Sequence, residues 1–241
     1  MRKRKNSYYC KTGKNVVSYI RGDYMITFDD IKKNQEIKTY IKRADSSLGA
    51  LGYTEHSQAH VSLVAERAER ILSALCYDER TVEIAKIAAY MHDIGNVVNR
   101  VDHSQSGALI AFRLLDKIGM DTEEIATIIS AIGNHDEGDG VAVNPVAAAL
   151  IIADKSDVRR TRVRNRDIST FDIHDRVNYS VIKSDIAVKD GNIILSLDID
   201  TKISPVIDYF EIFLNRMLMC KRAALCLKSQ FKLIINDQEI I

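Results

Sequence analysis

The sequence lacks any apolar run near the roughly 20 residues that a membrane-spanning helix needs, so we expect no membrane span. It also lacks a CxxC pair among its four cysteines. Cys76, Cys220 and Cys226 stand in apolar helical contexts, which is typical of free thiols that pack as small hydrophobic side chains. Such cysteines favour a reducing cytoplasm. Internal repeats and low-complexity tracts are absent as well.

Strong charge of one sign is also missing, because the formal net charge is +1. Residues 1–24 hold seven Lys/Arg and one Asp, which leaves 27 basic and 32 acidic residues for the rest. The mildly acidic remainder disfavours a surface that coats nucleic acid. We expect residues 1–24 to be a poorly ordered extension, with a basic nucleic-acid-binding arm as the alternative. No apolar stretch follows the first basic residues, so we expect no secretory signal, and Met25 is an alternative start.

The 241 residues, 46% hydrophobic and 28% charged, predict a globular protein with either one large domain or a domain plus a small appendage. Apolar residues at helical spacing predict mostly α structure. The predicted helices cover Phe28 to about Ala44, the stripe from Val61 to Leu75, Thr81–Met91, about Ser104 to Ile118, a segment opened by a capping box at Asp121–Glu124, and a segment opened by Asn144-Pro145.

The pattern changes after about Phe171. Alternating apolar residues on both sides of Asp190-Gly191 predict a hairpin. A helix from Ser204-Pro205 to about Leu227 and a strand over 231–235 follow, which gives a β-β-α-β unit without a recognisable catalytic constellation. We therefore expect three parts: the extension 1–24, a helical domain over 25–168 with its bundle from about residue 28, and a small α+β domain over 169–241.

Polar residues that chemistry can use fall on the predicted inward faces of these helices. His92-Asp93 directly follows the apolar helix Thr81–Met91, and Gly95 is expected to end that helix with a positive φ. His60 continues the Val64 stripe backwards by one turn, and His135 continues the Ile132 face. Asp154 lies on an apolar face too, where a carboxylate is costly unless it is paired or bound to a metal.

Two further histidines fit this pattern less strictly. His56 extends the same stripe by another turn, as a core histidine or as support for His60. His103 stands at the start of its helix, where it either joins the site or simply caps the helix.

The order His60, His92-Asp93, Asp154 resembles that of the HD-domain superfamily of metal-dependent phosphohydrolases, over roughly residues 50–165. Val64-Ala65 and Ala68 after His60 match the superfamily's local context. The resemblance implies an HD helical bundle in which His60, His92, Asp93 and Asp154 hold one metal ion. It also implies that His103 and His135 bind a second metal ion and that Asp93 bridges the two ions.

Imidazoles and carboxylates suit iron, manganese or zinc. Two such ions, ~3.5–4 Å apart, would activate a water for in-line attack on phosphorus, and metal-bound hydroxide is available near neutral pH. The resemblance thus implies hydrolysis of a phosphoester or phosphoanhydride. The predicted catalytic residues are Asp93, Lys155 and Arg162, and a salt-bridged structural role is the alternative for Lys155. No convincing Ser-His-Asp arrangement competes with it.

The substrate expected from the resemblance is a small, nucleotide-like phosphorylated molecule. Residues 134–142 lack the Gly-Tyr-Pro of the HD-GYP cyclic-dinucleotide phosphodiesterases. Ala153-Asp154-Lys155 is similar instead to small stand-alone bacterial members that act on nucleotides. A di-iron oxygenase and a non-catalytic nucleotide-binding module stay open as alternatives, and so does a homo-oligomer.

Candidate substrate-binding residues are Asn96, Arg159 and Arg162. The run Arg159–Arg166 is either a solvated helix end or a phosphate clamp, and on a helix Arg159, Arg162 and Arg166 would share one face. Asn96 either donates to substrate or caps its loop.

Overall fold

The computed structural model describes residues 25–138 and 140–240. The predicted extension over 1–24 lies outside these residues. The described helices are α1 Phe28–Lys33, α2 Gln35–Ala50, α3 Gln58–Ala74, α4 Glu79–Met91, α5 His103–Lys117, α6 Thr122–Gly133, α7 Pro145–Lys155, α8 Ile173–Ser180 and α9 Val206–Cys226. The described strands are β1 Val181–Lys189, β2 Asn192–Ile199, β3 Gln230–Ile235 and β4 Gln238–Glu239, and short 3₁₀ turns cover Ile94–Val97, Arg160–Arg162 and Ile168–Thr170.

Capping side chains decide where several helices begin. Asn144 accepts a hydrogen bond from the amide of Ala147, and Pro145 follows at the first helical position of α7, as predicted. The single helix predicted from Phe28 to Ala44 is wrong, because the Asn34 side chain accepts from the amides of Glu36 and Ile37 and starts α2 there.

Asp121 caps α6 by accepting from the amides of Glu123 and Glu124. The Glu124 carboxylate, predicted to complete a capping box, instead accepts two hydrogen bonds from the guanidinium of Arg80, at 2.6 and 2.5 Å. An ion pair between α4 and α6 thus replaces the hydrogen bond that Glu124 was predicted to make at the start of its own helix.

Helix α7 is the centre of the bundle. Every residue from Val146 to Ala153 is buried, and the helix packs against α3, α4, α6 and α9. A helix that is apolar all round is stable only inside a core. Full burial of Leu150, Ile151 and Ile152 contributes roughly 1.5–3 kcal/mol each. Because α7 is held on all sides, its last turn is a rigid place for a functional side chain.

The C-terminal unit is a four-stranded sheet of order β1-β2-β3-β4 in the described chain. β1 and β2 form an antiparallel hairpin around Asp190 and Gly191, both in left-handed conformation, as the Asp-Gly turn predicts. Helix α9 crosses over to β3, which pairs in parallel with β2. The predicted β-β-α-β order is confirmed, with β4 and helix α8 in addition, and α9 packs directly on α7.

Two cysteines differ in environment. Cys76 is exposed in a left-handed turn after α3, so its predicted apolar helical context is wrong. Cys220 on α9 is fully buried, and burial raises the pKa of its thiol to about 12. Among the described residues, no helix combines the length and the apolar character needed to cross a bilayer.

Candidate metal centre

Six side chains, carried by five helices or by the residues that directly follow them, converge at one end of the bundle. Five of them are buried, and the Asp154 side chain is 12% exposed. His60 lies in the first turn of α3, His92 and Asp93 directly follow α4, His103 begins α5, His135 follows α6, and Asp154 lies in the last turn of α7. The predicted convergence of residues 60, 92, 93 and 154 is therefore present.

The four imidazoles share one orientation. Each presents its Nδ1 to an oxygen that can only accept, so Nδ1 carries the hydrogen and a neutral ring turns its Nε2 lone pair towards the centre. At His103 this lone pair also accepts from a terminal nitrogen of Arg100 at 3.3 Å. The bonds run from His60 to Oδ2 of Asp157 at 2.7 Å, and from His92, His103 and His135 to the carbonyls of Ala89, Arg100 and Ile132 at 2.7, 3.1 and 2.6 Å. This arrangement is typical of metal-ligating histidines.

The Nε2 atoms face one another at distances that need a cation between them. Nε2 of His60 lies 3.4 Å from Nε2 of His92, and the Nε2 atoms of His103 and His135 lie 3.2 Å apart. Two lone pairs at such distances repel unless a proton or a metal ion accepts them. Two groups have ligand atoms within 4.8 Å of one another, namely His60, His92 and Asp154, and His92, Asp93 and His135.

Asp93 lies between these groups. Its Oδ2 is 3.4 Å from Nε2 of His60 and 3.1 Å from Nε2 of His92, whereas its Oδ1 is 3.6 Å from Nε2 of His103. Oδ2 is buried and accepts no hydrogen bond from the described residues. A buried carboxylate oxygen without a donor is costly, so this orphaned atom fits a metal ion.

Electrostatics point the same way. Burial lowers the pKa of His92, but the carboxylates of Asp93 and Asp154 outweigh it and raise that pKa to about 10. Burial and the nearby positive charge of His92 lower the pKa of His135 to about 3. Because the two carboxylates keep one histidine charged, a positive charge stabilises this cluster. A divalent cation supplies it without a proton.

Asp157 supports the centre from behind. It is 1% exposed, accepts from Nδ1 of His60, and accepts from Nε of Arg159 at 2.6 Å. Burial raises the pKa of Asp157, but Arg162 and His60 outweigh it and hold that pKa far below the usual range. Asp157 therefore orients the His60 ring and binds Arg159 at the same time.

Gly95 has a different role from the one predicted. It does not have a positive φ; it belongs to the 3₁₀ turn Ile94–Val97. A Cβ at this position would lie 1.9 Å from the carbonyl oxygen of His103 and 2.5 Å from the amide nitrogen of Gly107. Gly95 therefore lets α5 approach closely enough for His103 to reach the centre.

A cavity of about 290 Å³ opens above the centre. Its wall includes Asp93, His103, His135 and Asp154, and four cations. These are Arg100, Lys155, Arg162 and Arg216. Lys155, predicted to be catalytic, and Arg162, predicted to be catalytic and to bind substrate, both line this cavity. The Nζ of Lys155 lies 2.8 Å from Oδ2 of Asp154.

The other two predicted substrate contacts do not line this cavity. Asn96 is 2% exposed and donates to the carbonyl oxygen and to Oδ1 of Asp93, so it holds Asp93 from behind. Arg159 binds the Asp157 carboxylate instead. The common helical face predicted for Arg159, Arg162 and Arg166 is wrong, because α7 ends at Lys155 and only Arg160–Arg162 form a short 3₁₀ turn.

His56 lies before α3, because Ser57 is the N-cap, so its predicted place one turn back along the helix is wrong. Its Nδ1 bonds the carbonyl of Thr54 at 2.7 Å, and its ring contacts that of His60 edge-on. It lines the cavity. Phe213 and Arg216 on α9 and their partner Glu137 could not be predicted at this site, because only tertiary contacts bring α9 to it.

The chain matches the family model of the HD domain over residues 53–176. This protein belongs to the HD-domain superfamily of metal-dependent hydrolases, as the resemblance implied. It is similar to the uncharacterized protein MJ1020 of Methanocaldococcus jannaschii, with 27% identity over 201 residues that cover 72% of this chain and 74% of that protein. It is also similar to the crystal structure of a predicted HD superfamily hydrolase from an uncultured Thermotogales bacterium. That similarity has 28% identity, a TM-score of 0.41, and covers 52% of this chain and 68% of the other.

Proposed function

We propose that this protein is a metal-dependent phosphohydrolase that cleaves a phosphoester or phosphoanhydride of a small nucleotide-like substrate. One observation carries the proposal. Asp93, His103, His135 and Asp154 of the convergent ligand set line a cavity whose wall also holds four cations. Metal ligands beside clustered Lys and Arg side chains suit a substrate that brings its own negative charge.

The residues fit one or two ions. His60, His92, Asp93 and Asp154 would hold one divalent ion, and His103 and His135 would hold a second with Asp93 between them. Bound iron, manganese or zinc would lower the pKa of a water molecule and withdraw charge from phosphoryl oxygens. The protein itself contributes the fixed geometry, because every imidazole is locked by its Nδ1 bond.

The cations of the wall neutralise the phosphoryl group. Arg162 is held by the carbonyls of Glu55 and Asp157, at 2.9 and 2.7 Å. Its remaining terminal nitrogen is therefore presented from a fixed position. Lys155 is 5% exposed, and its charge lies beside Asp154 at the floor. Such preorganised charges stabilise a transition state without reorganising during the reaction.

The cavity also limits the substrate. About 290 Å³ is at the small end of ligand pockets, which favours a small molecule over a polymer. Tyr53, 44% exposed, lies on the cavity wall and offers an aromatic face to a nucleobase. These features support a nucleotide-like substrate.

The test is phosphate release from nucleoside mono-, di- and triphosphates, cyclic nucleotides and sugar phosphates, with protein loaded with manganese, iron or zinc. We expect turnover on part of this panel, and a loss of about 10²-fold or more in Asp93→Asn and His92→Ala. Asp185→Asn is the matched control, because Asp185 is a half-exposed surface carboxylate paired with Arg70. Retained activity in the two site variants would contradict the proposal. Oxygen consumption without phosphate release would favour the oxygenase alternative, and binding without turnover the non-catalytic module.

A further inference from the structure

We propose that the C-terminal unit supplies a substrate-binding residue: Arg216 on α9, whose guanidinium binds an oxyanion of the phosphorylated substrate. The inference rests on the proposed function for the class of substrate. It adds a residue from outside the span matched by the HD-domain model, and gives the α+β unit a part in the site.

The Arg216 side chain is held in place before any ligand arrives. Its Nε donates to Oε1 of Glu137 at 2.5 Å, and its guanidinium carbon lies 4.3 Å from the centroid of the Phe213 ring. Phe213 is itself 1% exposed. A hydrogen bond along one edge and a ring against one face fix the guanidinium plane. Ligand binding therefore costs little further conformational entropy of this side chain.

The two terminal nitrogens of the Arg216 guanidinium are suited to bind an anion. Within residues 25–138 and 140–240, no hydrogen bond engages its two terminal nitrogens, and the ion pair with Glu137 is made through Nε. The side chain is 26% exposed and lines the cavity. Two terminal N–H groups in one plane are the fork that binds phosphate oxygens in a bidentate manner.

A second cation, Lys155, connects the Arg216 guanidinium to the metal centre through Glu137. Oε1 of Glu137, which accepts from Arg216, is also 3.9 Å from Nζ of Lys155. Lys155 in turn contacts Asp154 of the centre. One carboxylate thus aligns both cations, and a phosphoryl group at the floor of the cavity has Lys155 and Arg216 on the same side. Glu137 acts as a positioning residue, because it reaches the substrate only through Arg216 and Lys155. Phe213 lines the cavity itself and also holds the guanidinium plane of Arg216.

The matched control is on the same helix. Arg222 is exposed on α9 and does not line the cavity. Arg216→Ala removes the guanidinium, Arg216→Lys keeps the charge without the fork, and Arg222→Ala removes an equal charge elsewhere on α9. Each variant is compared with the unmodified protein in KM and kcat for the best substrate of the panel. Binding of inorganic phosphate is measured by calorimetry, and the melting temperature records folding.

We expect Arg216→Ala and Arg216→Lys to weaken phosphate binding and raise KM by about 10- to 100-fold. We expect a smaller change in kcat and values within about twofold for Arg222→Ala. If Arg216 only tethers α9 to the Glu137 loop, Arg216→Ala will lower the melting temperature while KM and phosphate affinity stay unchanged. That result would overturn the inference.

Failure of the inference is distinguishable from failure of the proposed function. Hydrolysis that depends on His92 but not on Arg216 overturns the inference and leaves the function standing. Loss of phosphate binding in Arg216→Ala, in a protein that hydrolyses nothing on the panel, supports the anion site and overturns the function. No phosphate binding to the unmodified protein below about 10 mM overturns the inference.

Discussion

Replacement of Gly95 by alanine tests the close approach that brings His103 to the centre. An added Cβ would lie 1.9 Å from the carbonyl oxygen of His103 and 2.5 Å from the amide nitrogen of Gly107. Both neighbours are backbone atoms of α5, so neither can rotate away as a flexible side chain does. The first turns of α5 and the turn Ile94–Val97 would have to separate.

The size of the effect follows from these distances. Ordinary contact begins near 3.4 Å, so the two backbones must separate by about 1.5 Å. Overpacking of a rigid core costs about 1–3 kcal/mol, and we expect the upper end of that range here because α5 also packs on α6. A misplacement of about 1 Å at a site also costs on the order of 10²-fold in activity, and the shift falls directly on His103.

The assay is urea denaturation of Gly95→Ala, with metal content and phosphate release measured on the same preparation. Gly133→Ala is the control, because Gly133 ends α6 and an added Cβ would meet its nearest atoms at 3.7 Å. Alanine there should leave stability unchanged or raise it by up to about 1 kcal/mol. A free energy of unfolding of Gly95→Ala within about 0.5 kcal/mol of the unmodified protein would refute the reasoning.

Three further predictions concern the surroundings of the centre. Asp157→Ala should lower the free energy of unfolding by about 3–5 kcal/mol, because it leaves buried cations unpaired, and weaken metal binding about 10- to 100-fold through the loss of the His60 contact. Asp185→Ala is the surface control. A metal affinity of Asp157→Ala equal to that of the unmodified protein would contradict the prediction. The pKa of the Cys220 thiol is raised by burial, so at pH 8.5 iodoacetamide should alkylate exposed Cys76 but not Cys220 in the folded protein. Since unfolded Cys220 ionises first, its contribution to stability should fall as pH rises above about 8.5; alkylation of folded Cys220 at pH 8.5 would show that it is accessible. Chelation should lower the melting temperature, and added manganese, iron or zinc should restore it in the order of their affinities. A melting temperature that does not change with metal would contradict the proposed ligand set.

Features encoded within a few residues could be predicted from the sequence. Asn144-Pro145 starts α7 and Asp190-Gly191 turns the hairpin, because each depends on local backbone preferences. The inward direction of His60 follows from the helical period of α3, which is why convergence with His92-Asp93 could be expected.

Features that depend on distant contacts could not be predicted. Ile31 and Ile37 are both buried, so the apolar period continues through Asn34 although the helix does not. Arg162 leaves the expected helical face because it donates to the carbonyl of Glu55, 107 residues away in sequence. Arg216 meets Glu137 across 79 residues. No sequence pattern near either arginine indicates these partners.

The central claim, that the buried histidines and carboxylates hold metal, is tested most directly by anomalous diffraction from a crystal of the metal-loaded protein. Data collected on either side of the absorption edge should show one or two peaks within ligand distance of Nε2 of His60 and His92 and of the Asp93 and Asp154 carboxylates. His92→Ala should lose at least one peak. A loaded crystal with these side chains ordered and no anomalous peak among them would contradict the claim.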